Sequence, residues 1–195
     1  RHLDLPSFPT RRPSDLQISA LAGSPHSPLA GLRSWTQEQY ARLTVTLRQR
    51  KTSGHVRECH GDLHLGNVAL IDGEPVVFDA IEFNPGLRWI DTVNDVAFLT
   101  MDLHHGGRAA LAYGFLDHYL QATGDYEGLA VLRFYEVYRA MVRAKIAAIR
   151  GQQELSVQER RMVEIELASY LALAERLTVM RRGAQIGSAS CRERV

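Results

Sequence analysis

Two apolar rhythms run along the chain. Over most of its length apolar residues recur every three or four positions, the period of a helix that buries one face. Tyr40, Leu43 and Leu47 make such a stripe from Trp35 onward. Thr36 and Gln39 are spaced as a capping pair at its start, and Arg48, Arg50 and Lys51 lie near its end, where the helix dipole favours cations. Thr52-Ser53-Gly54 closes it, and residues 24–31, rich in Pro, Gly and Ser, read as the loop before it. Residues 89–103 predict a second, buried helix with Trp89, Val93, Val96, Phe98, Leu99 and Leu103 apolar. After Gly106-Gly107 a third helix covers residues 108–120. A fourth follows Gly124-Asp125, with Leu129, Leu132, Tyr135, Tyr138, Met141 and Val142 at helical spacing. Ser156-Val157-Gln158-Glu159 is a capping box that opens the last helix, which Arg181-Arg182-Gly183 ends.

The second rhythm is short. Val68-Ala69-Leu70-Ile71 and the run from Pro75 to Phe78 are strand-like and flank Asp72-Gly73. Asp-Gly between apolar runs is a hairpin signal, because both residues tolerate positive φ. Residues 55–59 before them read as a strand or an extended lead-in. The body is therefore expected to be mainly α with one small β-hairpin.

That hairpin carries the candidate chemistry. It returns Asp79 beside Asn67, the last residue of His60-Gly61-Asp62-Leu63-His64-Leu65-Gly66-Asn67. Asp62 can accept a proton, while Asn67 and Asp79 offer the hard oxygens that Mg²⁺ prefers. Phosphoryl transfer needs this equipment: a carboxylate for the attacking hydroxyl and metal ions for the nucleotide phosphates. A zinc site of Cys59, His60 and His64 competes for the same stretch. Gly61 and Gly66 work against the helix that would align the two histidines, and no further ligands complete a tetrahedral set. Farther on, Asp91, Asp95 and Asp102 recur at i, i+4 and i+11 in an apolar helix, where such groups need donors. Asp91 has a second reading, as a carboxylate at the helix N-terminus facing water.

The pattern His-x-Asp-x-x-x-x-Asn followed by a strand-end Asp resembles the catalytic segment of the protein-kinase-like fold. The form His-Gly-Asp-Leu-His-x-Gly-Asn is similar to that of the aminoglycoside phosphotransferase and choline kinase branch. The resemblance implies that Asp62 is the base, that Asn67 and Asp79 hold Mg²⁺, and that His60 braces the loop. Val93-Asn94-Asp95-Val96-Ala97-Phe98 aligns with the family's supporting helix, so Asp95 ties down backbone N–H groups of the loop. Phe78-Asp79-Ala80-Ile81 stands where protein kinases have Asp-Phe-Gly, and only the Asp carries across. Residues 78–84, Trp89-Ile90-Asp91 and residues 138–145 resemble a bacterial subgroup of unassigned substrate, some of whose members carry a downstream P-loop ATP-binding domain. His64, Glu82, Arg139 and Arg143 are candidate substrate-side residues, although arginines such as these, with Lys145 beside them, more often form a solvated or salt-bridged face.

The fold implied is the C-terminal lobe of a kinase-like fold without its N-terminal lobe, since nothing upstream of residue 60 supplies a β-rich lobe or a phosphate-binding Lys. ATP and a small-molecule hydroxyl are the expected partners; no Gly-x-x-x-x-Gly-Lys-Ser/Thr motif is present, so any P-loop domain would lie downstream of this sequence. A pseudokinase-like binding module and a metal-dependent hydrolase are the alternatives.

Composition narrows the class. A net charge of +1 across 195 residues gives no bulk attraction to nucleic acid or membrane. No apolar run approaches the ~20 residues that span a bilayer. Two distant cysteines imply no disulfide framework, so a cytoplasmic home is expected.

The ends read differently. Residues 7–16 paired antiparallel with residues 185–194 can be encoded by reverse-complementary codons at every position but Pro13 with Ser188. One oligonucleotide read on both strands would produce this, and both tails resemble a translated sequencing adapter. Residues 1–16 and 185–195, Cys191 included, are therefore expected to be non-native, leaving 17–184 as the lobe.

Overall fold

The computed structural model describes residues 29–179. The tails 1–16 and 185–195, most of the loop expected before α1, and the closing Arg181-Arg182-Gly183 lie outside the described residues.

The first helix, α1 (Leu29–Thr52), buries Leu32, Leu43 and Leu47. It starts earlier than the sequence suggests. Leu29 to Gly31 are helical, and Thr36 is no cap: its hydroxyl donates to Leu32 O at 2.7 Å, one turn back within the helix. Strand β1 (Val56–Glu58) follows, then the loop 59–64 and a single 3₁₀ turn at Leu65–Asn67. Strands β2 (Val68–Ile71) and β3 (Glu74–Val77) form the expected hairpin, with Val68 opposite Val77. Asp72 and Gly73 take φ of 54° and 86°, the conformation a two-residue hairpin turn requires.

One element was misread. Residues 89–91 are not helical: after a single turn, α2 (Pro85–Arg88), strand β4 (Trp89–Asp91) pairs antiparallel with β1. Trp89 is consequently exposed rather than buried in a helix. Helix α3 (Thr92–His105) begins only after Asp91, whose side chain accepts from Val93 N at 3.0 Å as the N-cap. Asp91 is thus a helix N-terminal carboxylate, but a buried one.

The remaining body is α4 (Ala109–Thr123), α5 (Leu129–Arg150) and α6 (Val157–Val179). Helix α3 packs against α4, α5 and α6, and its Phe98 and Met101 are wholly enclosed. The buried seam of α5 runs through Val131, Phe134, Val137, Ala140, Ala144 and Ala147. Of the stripe expected there, Tyr135 is buried and the larger residues flank the seam. Small alanines let the backbone of α5 approach α6 closely, a role that a stripe drawn through bulky residues passes over. At the start of α6 the capping box closes as expected: Glu159 N donates to Ser156 Oγ at 3.3 Å, and Ser156 N to Glu159 Oε2 at 2.9 Å.

Arg50 fastens these parts together. Its guanidinium is 3% exposed, binding Asp91 at 2.7 and 2.9 Å and Asp125 at 2.7 Å through two nitrogens. The sequence offered it only as a cation at a helix end. In the fold it joins the end of α1 to the start of α3 and to the turn before α5. Burial opposes ionisation of Asp125, but hydrogen bonds and charge from Arg50 hold its carboxyl below the usual value.

Another buried acid has no guanidinium bound to it in this way among the described residues; His104 Nε2 stands 4.0 Å from its Oε1. Glu136 on α5 accepts from Thr100 Oγ1 at 2.8 Å, and burial pushes its carboxyl up to about 7. The folded value lies above the ordinary 4.5, so the native state keeps a proton that the unfolded chain releases. Stability therefore falls as pH rises from about 4.5 to about 7. Glu136→Gln should make the protein more stable than wild type at pH 8 by about 2–3 kcal/mol. Urea titrations should show that advantage disappearing near pH 4.

Candidate active site

Between β1 and the 3₁₀ turn the chain has no sheet partner, so its amide groups must find acceptors elsewhere. Helix α3 provides them. Asp95 Oδ2 accepts from His60 N at 2.7 Å, and both of its oxygens lie 3.1 Å from Gly61 N. Asp102 accepts from Leu65 N at 2.9 Å. Gly61 has φ of 85°, and a Cβ there would meet Leu87 O at 3.0 Å, so glycine is required on both counts.

His60 fixes the loop to the hairpin. Its Nδ1 accepts from Asp62 N at 3.3 Å, which leaves Nε2–H to donate to Phe78 O at 2.8 Å. Ile81 N returns a bond to His60 O at 3.0 Å, and Phe78 N donates to Asn67 O at 3.0 Å. Asp79 is thereby bracketed: Phe78 before it and Ile81 two residues after it are tied to His60 and Asn67. Its backbone takes φ of 60°, and its carboxylate is exposed with no hydrogen bond or ion pair among the described residues.

Asp62 and Asn67 meet directly. Asn67 is 7% exposed, and its Nδ2 donates to Asp62 O at 3.0 Å and to Asp62 Oδ2 at 3.2 Å. With the nitrogen so committed, Oδ1 is the free end of the carboxamide. His64 Nε2 stands 3.4 Å from Asp62 Oδ2. Gly66 N donates to His64 Nδ1 at 3.0 Å, so the ring proton sits on Nε2, facing the carboxylate. This hydrogen bond is the largest influence on Asp62 and, with the charge of Arg139, holds its carboxyl below the usual value against the effect of burial.

The candidate substrate-side residues part company here. His64 turns to Asp62 and packs on Phe98, with ring centroids 5.3 Å apart. Arg139 is 7% exposed and lies beneath the loop, in an ion pair with Asp95 at 3.8 Å rather than on a solvated face. It donates to Asn94 Oδ1 at 2.7 Å and to Gly61 O at 3.1 Å, and its guanidinium sits 4.5 Å from the Phe98 ring centre. Arg143 lies between α5 and α6, donating to Tyr170 Oη at 3.2 Å and facing Glu166 at 3.7 Å. Glu82 is exposed on the loop after β3.

The zinc reading finds no support in the geometry. Cys59 Sγ donates to Ile90 O at 3.6 Å, and burial pushes its thiol up to about 11. His60 spends both ring nitrogens on the loop, and both nitrogens of His64 face groups within it. Among the described residues no group of three or more His, Cys, Asp or Glu side chains could hold a metal ion unaided.

Asp102 and Asn94 are the site residues that sequence reasoning left without a role. Asp102 carried a signal, as the third carboxylate of an apolar helix; Asn94 carried none.

The loop is hung by its backbone from acidic side chains of a buried helix and brings the Asp62 carboxylate against the Asn67 carboxamide, with the backbone around Asp79 tied to the same loop. The chain belongs to the phosphotransferase enzyme family, whose model matches residues 4–135. That match takes in the loop, the hairpin, α3 and the start of α5, and opens inside the stretch expected to be non-native. The chain is also 40% identical over 109 residues to an uncharacterized protein of Mycobacterium bovis (strain ATCC BAA-935 / AF2122/97). Uncharacterized proteins of two Mycobacterium tuberculosis strains, CDC 1551 / Oshkosh and ATCC 25618 / H37Rv, match to the same extent. The alignment takes in 56% of this chain but 22% of each relative, so the chain spans about a fifth of their length. No solved structure matches it. No helix among the described residues is long and apolar enough to cross a membrane.

Gly66 offers a direct test of the His64–Asp62 contact. Its φ is ordinary, but a Cβ would lie 2.7 Å from the His64 ring. Gly66→Ala should displace the ring and leave the fold standing. NMR titration of the Asp62 carboxyl should then show its pKa rising toward the ordinary value; a value that stays put would remove His64 as the cause.

Proposed function

We propose that this lobe is the acceptor-side half of an ATP-dependent kinase that transfers the γ-phosphoryl group to a hydroxyl of a small molecule. The observation that supports this most is the hydrogen bond from Asn67 Nδ2 to Asp62 Oδ2, made beside the bracketed Asp79. Asp62 orients the attacking hydroxyl and takes its proton. A carboxyl held below its usual value is a weak base, which suits a loose transition state in which the proton leaves late.

The donor set fits Mg²⁺. Asn67 Oδ1 and the Asp79 carboxylate are hard oxygens, and Asp79 has no competing partner among the described residues. Mg²⁺ ordinarily takes one or two carboxylates and completes its shell with waters and phosphate oxygens, so two protein ligands suffice. When bound, the ion neutralises charge on the transferring phosphoryl group. Asp79 takes a left-handed backbone, a conformation uncommon for residues other than Gly and more accessible to Asp than to most. Such a conformation is retained where a side chain is needed. The thin protein ligand set argues against a metal-dependent hydrolase, which would have to hold its ion without a nucleotide.

In this reading the phosphate-clamping lobe, and any P-loop domain, belong to a longer parent, and residues 1–16 and 185–195 are not native. The reading names no acceptor. Arg139 and Arg143 are spent on internal contacts and recommend neither an anionic nor a cationic substrate.

In the parent, Asp62→Asn should lower turnover by about 10²–10⁴, the usual worth of a positioned base. A steady-state assay of ATP-dependent phosphate transfer checks this. Unchanged turnover would remove Asp62 from its role, and transfer-inactive nucleotide binding would leave a pseudokinase-like module instead.

A further inference from the structure

The loop is suspended from α3 at two points, and the second has no place yet in the chemistry. Asp102 lies seven residues, two helical turns, beyond Asp95 and so on the same face. It is 8% exposed, and one oxygen accepts the N–H of Leu65, the residue that opens the turn Leu65–Asn67. The first N–H groups of a helical turn have no partner within it. Here each is satisfied from outside or from the residue before: Leu65 N by Asp102, Gly66 N by the His64 ring, Asn67 N by His64 O at 2.9 Å. The turn fixes where Asn67 leaves the backbone, and hence where its carboxamide meets Asp62.

The other oxygen of Asp102 looks toward α6. It accepts from Tyr170 Oη at 3.2 Å, and that oxygen in turn accepts from Arg143 Nε at 3.2 Å. His105, also on α3, stacks on the Tyr170 ring at 4.0 Å. The Asp102 carboxylate is therefore held in one orientation by a hydroxyl from a helix beyond the region matched by the family model.

We infer that Asp102 is a positioning residue for Asn67, and that Tyr170 aims it. The α5–α6 pair thereby reaches the metal-holding side of the loop, while Asp95 serves the end bearing His60 and Gly61. The relevance to metal holding rests on the function proposed above; the positioning itself does not.

Amide exchange and side-chain NMR on the ¹⁵N-labelled chain test it. Asp102→Ala should speed exchange at the Leu65 amide by about tenfold or more, as expected for losing a charge-assisted bond. It should also move the Asn67 carboxamide signals toward averaged values, while His60 and Gly61 keep their protection. Asp102→Asn should keep most of the Leu65 protection, since its oxygen can still accept from that amide. Tyr170→Phe should show a smaller effect of the same kind. If Asp102→Ala unfolds the chain, Leu65 loosened in Tyr170→Phe and mostly preserved in Asp102→Asn carries the inference. Unchanged Leu65 exchange in both Asp102→Ala and Tyr170→Phe would overturn it. So would a loosened Leu65 with undisturbed Asn67 carboxamide signals. Mn²⁺ with ATP, added to wild type and Asn67→Ala, tests the metal reading separately: equal line broadening around the loop in both would end that reading and leave the positioning result standing.

Discussion

The Asp95 carboxylate, accepting the N–H groups of His60 and Gly61 from within a buried helix, is the bond on which this structure depends. The loop between β1 and the 3₁₀ turn has no sheet partner, and unsatisfied buried amides are costly. Supplying the acceptors from a helix holds the loop, with Asp62 against Asn67, in one arrangement. It also obliges α3 to carry acids in the middle of the core. The organisation of the molecule answers that obligation.

The N-cap of α3 and the two acids within it each have a different solution. Asp91 caps its own helix and takes two nitrogens of Arg50. Asp95 takes two loop amides and stands 3.8 Å from Arg139, which also donates to Gly61 O. Asp102 takes a loop amide and a tyrosine hydroxyl. Buried ion pairs of this kind add little net stability, because desolvation offsets most of the attraction. Their worth here is geometric: they leave the loop one arrangement. Phe98 completes it as an apolar floor, wholly buried, with the His64 ring and the Arg139 guanidinium both against it.

Much of the site was legible because its signals are local. Asp72-Gly73 specifies its own turn, Ser156 and Glu159 their own cap, and Asp95 declared itself as a charge where a helix should be apolar. What escaped depended on partners far along the chain. Residues 89–91 have the apolar character of the helix they precede, and only pairing with β1, some thirty residues earlier, makes them a strand. Arg50 looks like any cation at a helix end until Asp91 and Asp125 converge on it. Arg139 sits on a basic stretch whose neighbour Arg143 makes ion pairs at the helix flank, and nothing in its own segment marks it as buried. The start of α1 was misplaced for a related reason: Thr36 and Gln39 fit a cap by spacing, although the helix was already under way.

The metal ion proposed above would sit between this suspended loop and Asp79, two residues beyond β3. Crystals of the chain soaked with Mn²⁺ and ATP, measured at the manganese absorption edge, address it most directly. The account predicts an anomalous peak bonded to both Asn67 Oδ1 and the Asp79 carboxylate, with Asp62 close by and unligated. A peak elsewhere, or an Asp79 carboxylate turned away from Asn67, would contradict it.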